Sequence, residues 1–331
     1  MSATILFNQA LDYREREPER ARMLFQQVRA LAEENRDYCF VLECDYWIWE
    51  CTIWYMHDYQ GAMDLTVRML MEARKPQYAE CLTDLADIHY TIAATYINYD
   101  PVGYEQEART IIDYVEFQMQ PGYELWCILS SIRATLEMLL ERWDEALQQA
   151  LICLARSDRT NYRLAAANIK LCDIYAAREE WDLMLSHAEQ AEHYAREDGE
   201  VVGWLGEALL WQAYAAARSG DLIRADHLFQ QHLRHLVPIQ DRLDSDYSDV
   251  ACRYYEWLGQ WEQVWELRER DLALALRGGS PDLITKTYRK RIAWLRQRGL
   301  PYEAEYQAAT QAAQRLRKPE VYLARLKNDL K

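Results

Sequence analysis

The sequence predicts an all-α chain of about eight stacked helix–turn–helix units, each roughly 40 residues long. Three observations carry that fold class. Gly and Pro are scarce, a small residue recurs at near-constant spacing, and apolar residues follow a helical period between the recurrences. The 331 residues contain 11 Gly and 8 Pro, too few for the many turns of a β-rich fold. Half are hydrophobic and 12% aromatic, which excludes disorder by composition.

Gly and Pro set the frame, because they mark helix ends. Gly220, Gly259 and Gly299 each stand five residues before Ala225, Val264 and Ala304. Leu222, Trp261 and Pro301 lie two residues after each Gly. The same frame without Gly reads Glu141, Trp143, Ala146 and again Glu179, Trp181, Met184. Pro18 before Ala21, Tyr59 before Ala62 and Gly103 before Ala108 extend it toward the N-terminus. Successive anchors are 41, 46, 38, 38, 41, 39 and 40 residues apart, the signature of an α-solenoid. Pro18, Pro101 and Pro301 then fall within hairpins, and Pro76, Pro121, Pro238 and Pro281 between them.

Between the anchors, Leu125, Ile128, Leu129, Ile132, Leu136, Leu139 and Leu140 form one apolar stripe. Leu147, Ala150, Leu151 and Leu154 form the returning one. Neither helix buries its stripe alone; stacked pairs do. Residues 1–318 therefore read as one continuous repeat domain, with 319–331 as a C-terminal capping helix.

At these positions the chain resembles the tetratricopeptide repeat family. Gly220, Leu222, Ala225 and Phe229 follow its pattern, as do Trp143, Ala146, Ala150 and Cys153. Trp181, Met184, Ala188 and Ala191 follow it too, with Tyr175 at the aromatic position of the preceding helix. The resemblance implies a right-handed superhelix whose first helices line a concave groove, used to recognise a protein or peptide. The family period of about 34 residues is exceeded here, and its closing Pro is mostly missing. That looser pattern is similar to the long-helix domains of bacterial regulators, which implies a ligand-responsive regulator as the alternative reading. Some family members grip a partner's terminal carboxylate with an Asn–Lys set. The corresponding positions here read Cys51, Thr135, Asp173, Tyr214 and Arg253, so no such clamp is predicted.

The net charge of −15 disfavours nucleic acid and anionic lipid as partners. Residues 277–331 nevertheless hold 13 Lys+Arg against 5 Asp+Glu, a net of +8 that leaves −23 for the rest. Met1 to Glu17 does not read as a signal peptide, and nowhere do 18 apolar residues run together. The eight Cys are scattered singly without a CxxC pair, so reduced, buried thiols and a cytoplasmic address are expected.

No P-loop, GxGxxG, GxSxG or HExxH string is present, and His187-Ala188-Glu189 lacks the PCxxC of zinc deaminases. His232 and His235 share a helix face, but His227 is displaced from it; Asp84, Asp87 and His89 do not align either. No metal, cofactor or catalytic residue is predicted. Eight aromatics crowd Tyr38 to Tyr59. On a regular helix Trp47, Cys51, Trp54 and Tyr55 share one side, and Tyr46, Trp49 and Ile53 the other. One set faces the groove as interface anchors, unless both are buried between neighbouring units. At the other end, Arg289 and Lys290 stand near the inner face of the last unit. They suit an acidic segment of a partner, a phosphate-bearing ligand or the acidic body of a second copy, unless they form a solvated helix face paired with acidic neighbours. The candidate binding residues are Trp47, Trp54, Tyr55, Asp173, Tyr214, Arg253, Trp257, Arg289 and Lys290.

Overall fold

The computed structural model describes residues 2–14, 16–118, 125–157, 160–197, 202–236 and 245–330. Pro121 and Pro238 lie outside them. The described residues form 17 α-helices and no strand, so the fold class is all-α as the sequence predicts. None of these helices is long and apolar enough to cross a membrane. The chain divides into two compact units: Met1–Gln118 with Leu272–Lys331, and Met119–Asp271.

The first unit contains α1 (Ala3–Tyr13), α2 (Pro18–Glu34), α3 (Tyr38–Glu50), α4 (Tyr59–Glu72), α5 (Leu82–Tyr99) and α6 (Glu105–Gln118). The second contains α7 (Leu125–Leu139), α8 (Trp143–Arg156), α9 (Asn161–Ala177), α10 (Trp181–Glu197), α11 (Val202–Ser219), α12 (Leu222–Leu236) and α13 (Ser245–Trp257). The division falls within α14 (Trp261–Gly278), after which α15 (Pro281–Gln297), α16 (Glu303–Ala313) and α17 (Pro319–Asn328) return to the first unit. Seven of the anchors, Ala21, Ala62, Ala108, Ala146, Met184, Ala225 and Val264, are fully buried in the second helix of their hairpins. Ala304 is exposed instead. The turn holding Pro301 delays α16 to Glu303, and its core residues become Ala309, Ala312 and Ala313.

The frame without Gly has a backbone explanation. Gly220, Gly259 and Gly299 adopt φ of 85°, 70° and 67°, and Glu141 and Glu179 adopt 63° and 61°. Each sits in the same helix stop. The amide after the left-handed residue donates five residues back, as in Arg142 to the Glu137 carbonyl and Asp221 to the Ala216 carbonyl. A side chain in this conformation costs roughly 1–2 kcal/mol, which Gly avoids. Glu141→Gly and Glu179→Gly should therefore each stabilise by about 0.5–1 kcal/mol once the extra entropy of an unfolded Gly is counted. Gly220→Ala should destabilise by about 1 kcal/mol, purely through φ, because an added Cβ meets no atom within 4 Å. Urea unfolding midpoints check both signs; a shift in one common direction would refute the assignment.

The N-terminal aromatics are divided by a π-helical turn. Met56 N–H donates to the Cys51 carbonyl at 3.0 Å, so Cys51–Tyr55 hold an extra residue in the turn. That register shift carries Trp54 round to Trp49, their rings 5.9 Å apart and nearly perpendicular. The expected grouping of Trp54 with Trp47 is thereby corrected. Trp47 instead stacks on Phe25 at 6.0 Å, with the Arg14 guanidinium 5.2 Å from its ring. Trp49 is fully buried, and its indole N–H donates to Thr95 Oγ1 at 2.7 Å.

The thiol expectation also needs correction. Cys39 and Cys81 form a disulfide joining the start of α3 to the start of α5. Helix stacking brings together residues 42 positions apart, which local spacing does not reveal. Cys44, Cys51, Cys127, Cys153, Cys172 and Cys252 are buried and outside any disulfide, with the Cys127 and Cys153 sulfurs 3.5 Å apart.

The last three helices close the first unit on itself. Ser280 Oγ donates to the carbonyls of Asn98 and Tyr99, each at 3.2 Å. Tyr322 of α17 is buried, and its hydroxyl donates to Asp100. The final helix therefore packs on the α5–α6 connection, within the same unit as α1.

Candidate binding faces

In the first unit, α3 and α5 bring acids and rings together. Tyr46 and Glu50 lie one turn apart on α3, and the Tyr46 hydroxyl donates to Glu50 Oε1 at 2.8 Å. Across from them, Tyr90 of α5 stands 6.0 Å from the Trp49 ring, which is itself 6.2 Å from Tyr46. Tyr46, Glu50, Trp54, Asp87 and Tyr90 are all half-buried. Burial pushes the Glu50 carboxyl up to about 6, against the Tyr46 hydrogen bond and the Arg14 charge. Burial pushes Asp87 up to about 7, and the charges that act on it, Asp84 and Glu43, raise it further. Carboxylates held this way gain from a cation, and neighbouring ring faces favour one too.

In the second unit, the Arg218 guanidinium lies 3.9 Å from the Trp181 ring centroid, 5.0 Å from Trp257 and 5.8 Å from Tyr214. Trp257 remains 49% exposed, whereas Tyr214 is buried. A shallow pocket of about 330 Å³ beside this stack is lined by Glu179, Glu180, Trp181, Asp182 and Leu183.

The structure thus joins two of the sequence-derived residues, Tyr214 and Trp257, through Arg218. Asp173 is half-buried on α9, and Arg253 is exposed one turn before Trp257. In the first unit, Trp47, Trp54 and Tyr55 are half-buried, with Trp54 brought to the α3–α5 face. Arg289 makes a two-pronged ion pair with Asp329, at 2.6 and 3.1 Å, and Lys290 beside it is half-buried. Much of the basic C-terminal stretch is engaged in the same way. Lys286 pairs with Asp282 at 2.7 Å, Arg291 with Glu305 at 3.2 Å, and Arg296 donates to the Asp329 and Leu330 carbonyls.

The imidazoles do not converge. His232 is buried with Nδ1 2.7 Å from the Gly206 carbonyl, while His227 meets Gln231 on the exposed side. Sequence reasoning passed over Glu50, Tyr90 and Arg218, and weighed Asp87 only as a metal ligand beside Asp84 and His89. A signal existed for Glu43, Tyr46 and Glu50, whose three- and four-residue spacing marks one helix face.

No family model matches the chain, and no curated protein matches it by sequence. A circular tandem repeat protein with novel repeat topology and enhanced subunit contact surfaces aligns at 15% identity over 99% of this chain and 76% of that one. Its TM-score of 0.18 carries no argument. A Rap protein, solved in complex with Competence and Sporulation Factor, superposes with a TM-score of 0.58 at 13% identity. That match covers 98% of this chain and 99% of the other, and it shows a shared all-α helical-repeat fold.

Proposed function

We propose that the chain is a tetratricopeptide-like recognition scaffold for a peptide or protein segment, and that the α3–α5 face receives the segment's cationic side chains. The observation that carries this reading is the half-buried Asp87 beside Tyr46 and Tyr90, with the negative charges of Asp84 and Glu43 acting on it. A Lys or Arg entering there meets carboxylates and rings together. The fold shared with a Rap protein, itself complexed with a factor, supports recognition as the task. The C-terminal residues Arg289 and Lys290 offer a weaker case for an acidic segment, because Arg289 already holds Asp329.

An Arg- and Lys-rich peptide and its Glu-substituted counterpart, titrated while tryptophan fluorescence is followed, test the reading. The cationic peptide should bind preferentially, and Glu50→Gln or Asp87→Asn should each weaken it roughly tenfold. A cation favours the charged carboxylate, so affinity should rise with pH as Glu50, at about 6, and then Asp87, at about 7, lose their protons. Equal binding of both peptides, or an Asp87→Asn variant that binds like wild type, would remove this face from consideration.

A further inference from the structure

The Cys39–Cys81 disulfide sits among carboxylates. Cys39 stands four residues before Glu43 on α3, and Cys81 three before Asp84 on α5, so each helix start supplies one sulfur and one acid. The two sulfurs and an Asp84 carboxylate oxygen all lie within 4.8 Å of one another. Cys39 is exposed and Cys81 buried, which leaves one open side. A disulfide alone has no use for such acids. Asp37 and Glu43 bring two further negative charges near Asp84. This crowding of like charge is destabilising unless a cation offsets it.

We propose that the reduced pair is a zinc site, with the Cys39 and Cys81 thiolates and the Asp84 carboxylate as ligands and water in the fourth position. Two thiolates and a carboxylate suit Zn²⁺ over Mg²⁺ or Ca²⁺, which take oxygen ligands. The redox step balances simply. A dithiol or phosphine reductant supplies two electrons, the S–S bond breaks, and two protons complete two thiols. Zinc then displaces both thiol protons. A peroxide or disulfide oxidant removes the two electrons, re-forms the S–S bond and releases the metal. The site therefore holds metal under reducing conditions and a covalent bond under oxidising ones.

The test uses the full chain, reduced by a phosphine and titrated separately with Zn²⁺ and Co²⁺. One equivalent should bind, and Co²⁺ should give thiolate-to-metal charge-transfer absorption. Asp84→Asn should weaken binding by roughly 10–100-fold or more, since even outer partners of metal ligands carry that much. Cys39→Ser with Cys81→Ser should abolish it, and the oxidised chain should bind none. Circular dichroism establishes that each variant is helical. Independently of any variant, Zn²⁺ should protect Cys39 and Cys81 of the wild-type chain from alkylation, read by mass spectrometry. Absence of stoichiometric binding by the reduced chain would overturn the proposal. So would binding that survives the double Ser variant, or an affinity indifferent to Asp84→Asn.

Discussion

Asp100→Ala should destabilise the first unit by about 3–5 kcal/mol and open residues 317–330 to proteolysis. Asp100 is 1% exposed, and three donors converge on it. Oδ1 accepts from the Gly103 amide at 2.8 Å and from the Tyr322 hydroxyl at 3.0 Å, while Oδ2 accepts from the Arg317 amide at 2.8 Å. One carboxylate thus caps the α5–α6 connection and holds the segment leading into α17. Hydrogen bonds to a charged group contribute about 1.5–3 kcal/mol each and do not add fully within one network. Asn keeps a single acceptor oxygen, so Asp100→Asn should recover about half of the loss. Urea unfolding and limited proteolysis read both effects. If Asp100→Ala leaves the C-terminal segment as protected as in wild type, the carboxylate is not what holds it.

Arg29→Met should cost about 3 kcal/mol at neutral pH. Asp45 is 1% exposed, and Arg29 donates to its Oδ1 at 2.8 Å, to Glu72 at 2.6 Å and to Glu33 at 3.2 Å. Removing the guanidinium strands Asp45, since Arg68 approaches it only to 3.9 Å from an exposed position. Burial already raises the Asp45 carboxyl above its usual range, with Arg29 opposing. Without Arg29 it rises further. For a carboxyl raised on folding, the penalty is complete above its folded value and vanishes below its unfolded one. The deficit of Arg29→Met should therefore shrink as pH falls from neutrality toward the ordinary carboxylate range. Adding Asp45→Leu should recover most of the loss at every pH. A deficit that is independent of pH would mean that lost packing by the Arg29 stem dominates.

The repeat was legible because it is local. A helix stop, a bulky residue and a small residue recur within six positions, and seven of eight predicted anchors are buried. Glu141 and Glu179 were identifiable as stops only by their place in that frame, because nothing in a Glu side chain announces a positive φ. The π-helical turn at Cys51–Tyr55 escaped for the opposite reason. Periodicity assumes an unbroken helix, and one extra residue moves every later side chain by about 100°. The α3–α5 acids were visible as spacing on each helix, yet their meeting depends on how the helices stack. The Cys39–Cys81 bond and the Asp100–Tyr322 contact are purely tertiary, spanning 42 and 222 positions.

The interrupted path of the first unit also bears on how the chain is made. Asp100 leaves the ribosome 217 residues before the Arg317 amide that it will accept. At typical translation rates that is an interval of about 10–40 s, far longer than a helical hairpin needs to form. Through all of it the N-terminal helices wait with their docking surface uncovered, while the inserted unit can finish first. A segment synthesised early is thus completed late, and a chaperone or a second nascent chain has that interval in which to reach it.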